Sequence, residues 1–161
     1  MPLSKLREFL DQKNVKYMVI FHPTSYTAEA IAAMMHFSGN ALAKTVMVQI
    51  DGRLAMAVVP APAWVDLAKL QRTQGAKVVE PASESEFRRR VSNCEFGAMP
   101  PFGNLYGMGV FADESLAQQR EITFGAGTGQ QLLRMNYLDF RDLVKPVILP
   151  LASPRAKACA V

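Results

Sequence analysis

The chain has 161 residues, half of them apolar and 20% charged, with a formal net charge of +4 and a pI near 9.2. That is about one domain with enough apolar residues for a sizeable core, and no apolar run of about 18 residues that would cross a membrane. The mild basicity permits a polyanionic partner without demanding one.

The first stretch, "MPLSKLREFLDQKNV", carries charges throughout and lacks the apolar centre of a secretory signal, so a cytoplasmic protein is expected. Leu3, Leu6, Phe9 and Leu10 recur at helical spacing, with Ser4 as a candidate cap. "KYMVIF" reads as a strand, broken at His22-Pro23 because proline offers no ladder donor. Thr27 is placed to cap a second helix, "AEAIAAMMHF". Glu29 then falls in the first turn, where the helix dipole favours an anion, and Gly39 lies just past the end.

The clearest local pattern is "AKTVMVQIDGRLAMAVVPA". Asp51-Gly52 between two apolar runs is a two-residue hairpin turn. It sets Ile50 opposite Arg53, Val48 opposite Ala55, Val46 opposite Ala57 and Lys44 opposite Val59. Paired residues share a face. Lys44, Val46, Val48, Ala55, Ala57 and Val59 therefore lie on one side, and Thr45, Met47, Leu54, Met56 and Val58 on the other. Both sides are mostly apolar, which predicts a central hairpin covered on both faces.

"VDLAKLQRTQG" predicts a short helix ending at Gly75, "AKVVE" a strand, and "SESEFRRRV" a helix capped by Ser83 or Ser85. "MGVFAD", "EITFGAG" and "QQLLRMN" read as strands, and "YLDFRDLVK" as a helix stopped by Pro146. The reading is a single compact α/β domain over 1–150, with a mixed, largely antiparallel central sheet flanked by helices. Residues 151–161 read as a flexible C-terminal tail.

Three places offer chemistry. Lys44 stands at a strand edge, and the small Ala55 and Ala57 on its face would leave a hollow beside the ammonium group. A snorkelling lysine fits the same pattern. The stretch "GAMPPFGNLYG" is unsuited to helix or strand. Its glycines let a backbone approach a ligand, and Pro100 and Pro101 stiffen it, so backbone N–H groups there could meet a carbonyl oxygen that gains charge. An ordinary surface turn is the bland reading. "FGAGTG" fails the spacing of both a dinucleotide loop and a P-loop, which leaves a second substrate-lining loop. Cys94 and Cys159 lack partners at metal-ligand spacing, and His22 and His36 are too separated for zinc, so no metal or cofactor is expected. No G-x-S-x-G elbow is present. The basic residues Lys69, Arg72, Lys77 and Arg88 to Arg90 read either as solvated helix faces or as a nucleic-acid footprint.

Taken together, "TAEAIAA…ALAKTVMV", "DGRLAMAVVPA", "GAMPPFGNLYG" and "FGAGTG…LLRM" resemble the YbaK/ProX family of aminoacyl-tRNA editing domains across residues 3–148. The resemblance implies hydrolysis of the ester joining a wrong amino acid to a tRNA, often tRNA for proline. It implies a transient mischarged-tRNA partner and an associated synthetase. By position, Lys44 matches the family's essential lysine. Gly97, Pro101, Phe102 and Gly103 match the loop against the aminoacyl group, with Phe102 and Gly103 as the expected oxyanion donors. Gly127 and Thr128 match the second loop, and Thr45 and His22 join the substrate-binding set. Some members carry a histidine just after that second loop, where this chain has Gly129 and Gln130. The implied substrate is a small amino acid such as alanine, serine or cysteine, attacked by water with help from the ribose hydroxyl. A non-catalytic module that binds aminoacyl-tRNA or a nucleotide beside a synthetase is the alternative.

Overall fold

The structure is a computed structural model, and residues 2–22 and 41–154 are described. The expected helix after Thr27, with Glu29, His36 and Gly39, lies outside them, as does Cys159.

Helix α1 (Pro2–Gln12) leads into β1 (Tyr17–Phe21). The helix starts ahead of Ser4, so Ser4 is a helical residue and not its cap. Strands β2 (Ala43–Ile50) and β3 (Arg53–Pro60) form the expected hairpin, with Ile50, Val48, Val46 and Lys44 opposite Arg53, Ala55, Ala57 and Val59. Both turn residues take positive φ, 49° at Asp51 and 84° at Gly52, which matches the right-handed twist of the strands. The Asp51 carboxylate also accepts the N–H groups of Lys77 and Val78, tying the turn to the chain entering β5 (Val79–Pro81).

Strand β4 (Trp64–Val65) precedes α2 (Leu67–Gln74). Asp66 caps α2 by accepting from Lys69 N–H, and Gly75 ends it in the left-handed region. In α3 (Glu84–Arg90), Ser83 and Glu86 form a reciprocal capping box. Strands β6 (Gly109–Asp113), β7 (Glu121–Gly125) and β8 (Gln131–Asn136) follow. Helix α4 (Tyr137–Val144), capped by Asn136, leads to β9 (Val147–Leu149) and β10 (Ala152–Ser153).

The central sheet has the order β5-β2-β3-β6-β9. It is mixed: β5, β2 and β3 pair antiparallel, whereas β3-β6 and β6-β9 are parallel. A smaller antiparallel sheet runs β1-β8-β7, and β4 pairs with β10. Two apolar layers cover the hairpin, as its pattern predicts. On the Met47, Met56 and Val58 side, the core gathers Leu6 and Leu10 of α1, Phe87 of α3, Phe102, Phe124, Leu133 and Phe140. On the Val48, Ala55, Ala57 and Val59 side, it gathers Leu67, Leu70, Phe111, Leu149 and Leu151. Ala55 and Ala57 are thus packed within this layer, and neither lines the cavity in which Lys44 stands.

The expected boundary at 150 also shifts. Leu151 is fully buried, its N–H and that of Ala152 are taken by Asp113, and its carbonyl accepts from Asp66 N–H. Residues 151–153 are part of the fold. No helix among the described residues is long and apolar enough to cross a membrane.

Candidate functional site

A cavity of about 220 Å3 opens where β2 begins and β3 ends. Leu42, Ala43, Lys44 and Thr45 come from the first strand and Ala61 from just past the second. His22 closes one side, with Gly97, Ala98 and Met99 from the first glycine loop and Gly125, Thr128, Gly129 and Leu132 around the second. The smaller apolar cluster Ile20, Leu42, Ala61 and Leu132 forms part of the wall.

Neighbouring strand residues give the cavity two different polar groups. Lys44 and Thr45 point to opposite faces of β2, yet both reach the opening because the sheet ends there. The Lys44 ammonium stands 5.2 Å from the centre of the Trp64 ring, whose π-face attracts a cation. Thr45 is 9% exposed, and its Oγ1 has no hydrogen-bond partner among the described residues.

The two glycine loops are bound to one another. Glu95 N–H donates to Gly127 O (2.9 Å), and Gly127 N–H donates to Ala98 O (2.7 Å). The Glu95 carboxylate accepts the Gly129 N–H. Gly127 has φ of 102°, a conformation that disfavours any side chain. Gly125 lies so close to Ala98 that a Cβ would stand 3.0 Å from its Cα. Strand β1 is held alongside by His22 N–H donating to Gln130 O (2.9 Å).

Of the expected site residues, Lys44, Thr45, Gly97, Thr128 and His22 line this one cavity. Pro101, Phe102, Gly103 and Gly127 do not. Phe102 is wholly buried among Phe9, Phe124 and Phe140, with ring centroids 6.3, 5.7 and 5.7 Å away. Gly103 accepts from Tyr106 and Met108 and is walled by Met108 O and Val110. Pro101 is buried beside them. These residues build the root of the loop, and its rim at the cavity is Gly97 to Met99. Gly127 acts through its backbone as the link between loops.

Sequence reasoning singled out the two loops that hold Ala98, Met99, Gly125 and Gly129 without assigning these residues a role, and it missed Leu42, Ala43, Ala61 and Leu132. Extending the hairpin register by two residues sets Leu42 against Ala61, and Ala61 N–H indeed donates to Leu42 O. No comparable pattern pointed to Trp64 or Glu95. Cys94 is buried with its Sγ 3.6 Å from Met99 Sδ, and burial, aided by the Glu95 charge, pushes its pKa up to about 11. A thiol in that state is not the thiolate a nucleophile needs. The arginine run is partly engaged: Arg88 pairs with Glu84 (2.8 Å), and Arg90 donates to Tyr106 O (2.7 Å).

Residues 22–143 match the aminoacyl-tRNA editing domain family. A proline--tRNA ligase of Bacillus mycoides (strain KBAB4) is 27% identical over 95 residues, 59% of this chain and 17% of that protein. One from Bacillus cytotoxicus is 30% identical with the same coverage. The match therefore spans under a fifth of each ligase's length. A solved structure of a candidate trans-editing enzyme for prolyl tRNA synthetase superposes with a TM-score of 0.81 at 19% identity, covering 94% of this chain and 97% of that one. A solved hypothetical protein gives a TM-score of 0.82 at 18% identity, covering 92% and 99%. These likenesses fix a shared YbaK-type fold, and with the match over residues 22–143 the chain belongs to the aminoacyl-tRNA editing domain family.

Proposed function

We propose that this protein hydrolyses the ester of a mischarged tRNA, one carrying a small amino acid on tRNA for proline. The observation that carries the reading is the convergence of Lys44 and both glycine loops on one cavity within an editing-domain fold. The similarity to proline--tRNA ligases supports the choice of tRNA. At about 220 Å3 the cavity is smaller than the ~300–1,000 Å3 of usual ligand pockets. It suits a short aminoacyl group and its ester, with the rest of the tRNA outside. Alanine, serine and cysteine fit that size.

In this reading the ester carbonyl lies against Gly97 to Met99. The N–H of Ala98 is already given to Glu95 O, so the oxyanion donors are sought at Gly97 and Met99. Lys44 holds a ribose or phosphate oxygen and offsets the negative charge that develops. Water attacks the carbonyl carbon, and the ester C–O bond breaks. The proton from water passes, by way of the vicinal ribose hydroxyl, to the departing ribose oxygen. Thr128 and His22 border the aminoacyl group, and Thr45 offers it a hydroxyl.

The test mixes purified protein with a panel of mischarged tRNAs and follows loss of the ester. Turnover of small aminoacyl esters on tRNA for proline supports the reading. Salt-dependent binding without turnover favours a binding module, and absence of both turnover and binding rules out an editing role.

A further inference from the structure

We propose that Glu95 is a positioning residue, whose carboxylate holds the second glycine loop across the first so that Thr128 and Gly129 face Lys44. This rests on the deacylase reading above. Three hydrogen bonds join the loops, and two of them are backbone to backbone: Glu95 N–H to Gly127 O, and Gly127 N–H to Ala98 O. The third is the only one of the three made by a side chain, from Gly129 N–H to Glu95 Oε2. It fastens a residue that lines the cavity, whereas the other two fasten Gly127, which does not.

The geometry singles out residue 95 for this work. Ala98 N–H returns to Glu95 O (3.0 Å), so the backbone of Glu95 starts the short 3-10 turn that carries Gly97 and Ala98 to the cavity. One residue thus anchors the first loop with its backbone and the second with its side chain. Glu95 itself is exposed and lies outside the cavity lining, so it acts through the loops and not on the substrate. A charge-assisted hydrogen bond to a backbone N–H is roughly twice as strong as a neutral one. Without it, Thr128 and Gly129 keep only local hydrogen bonds among the described residues, such as Gln130 N–H to Thr128 Oγ1 (3.3 Å), and the next long-range tie is His22 N–H to Gln130 O.

The test compares wild type with Glu95→Ala and Glu95→Gln. Amide exchange of Gly127 and Gly129 is measured in the free protein, and steady-state deacylation on the mischarged tRNA that wild type turns over best. Glu95→Ala is expected to speed Gly129 exchange about tenfold or more and to raise KM about tenfold with kcat little changed, because a wall that touches ground state and transition state alike is loosened. Glu95→Gln keeps a carbonyl acceptor and is expected to restore both within about threefold. Global loss of folded protein would lower apparent kcat and leave KM alone, so the split separates positioning from mere stability. Unchanged exchange in Glu95→Ala overturns the proposal, whatever the activity. Faster exchange with unchanged KM overturns it as well. Should wild type turn over none of the panel, the deacylase reading falls, and the exchange arm still decides whether Glu95 holds the loops.

Discussion

Two adjacent side chains on β2 face the cavity with opposite demands. The Lys44 ammonium is carried by an aromatic face and half-buried surroundings, so its charge is weakly screened where an ester oxygen would arrive. Replacing Lys44 by alanine is expected to lower kcat/KM at least about 100-fold, or roughly 2.7 kcal/mol of transition-state stabilisation. A Lys44→Ala protein that deacylates at wild-type speed would end the proposed chemistry. Thr45 poses the reverse case. A buried hydroxyl without a partner costs about 1–3 kcal/mol, and here none is found among the described residues. Thr45→Val removes the hydroxyl at nearly constant shape. The free protein is expected to keep or gain thermal stability, while kcat/KM falls about tenfold if the aminoacyl group supplies the missing partner. Thermal melts beside single-substrate kinetics read both effects, and equal kinetics would show that the substrate leaves Thr45 unmet.

The glycines of the two loops do different things, which alanine substitutions separate. At Gly103 a Cβ would meet Met108 O at 2.5 Å and Val110 Cγ2 at 2.7 Å, and the carbonyl belongs to a packed backbone. Gly103→Ala is expected to cost about 1–3 kcal/mol of stability, by overpacking, and chemical denaturation should show it. At Gly125 the clash is with Ala98, at the mouth of the cavity. Gly125→Ala should push the loops apart and lower kcat/KM about tenfold or more with a smaller change in unfolding midpoint. The elements that sequence pattern made readable are those fixed by short-range rules. The Asp51-Gly52 turn determined every pair in β2-β3, Gly75 marked the end of α2, Ser83 was one of the two caps offered for α3, and the apolar spacing revealed α1 though not its start. The loops escaped because their conformation depends on partners far along the chain. Nothing local told Phe102, which is core, from Met99, which lines the cavity three residues earlier. Likewise the Glu95–Gly129 contact joins residues 34 apart, through a turn that only the folded β7-β8 pair creates.

At the scale of the whole molecule, one buried carboxylate ties the end of the described chain to the site. Asp113 is 4% exposed and accepts from Leu151 N–H (2.8 Å), Ala152 N–H (2.7 Å), and the N–H and hydroxyl of Ser115. Those bonds hold β10, β10 pairs with β4, and β4 presents Trp64 to Lys44. Burial opposes ionisation of Asp113, but the hydrogen bonds from Ser115, Ala152 and Leu151 outweigh it and hold its carboxyl below the usual range. Because the folded value lies below the unfolded one of about 3.9, the carboxylate stabilises the fold fully above that pH. The contribution is lost as pH falls through the folded value. Asp113→Asn is therefore expected to cost about 1.5–3 kcal/mol near neutral pH, the range for hydrogen bonds to a charged group. The gap to wild type should close as both proteins are taken below about pH 4. A gap that stays constant across that interval would mean the charge contributes nothing. The same linkage makes a chain ending at Pro150 differ from one ending at Pro154. The shorter chain loses the fully buried Leu151 and the β10-β4 pair, so both its unfolding midpoint and its kcat should drop together, through Trp64 and Lys44. If only the midpoint falls and the remaining folded fraction deacylates at full rate, Trp64 has no part in holding the lysine.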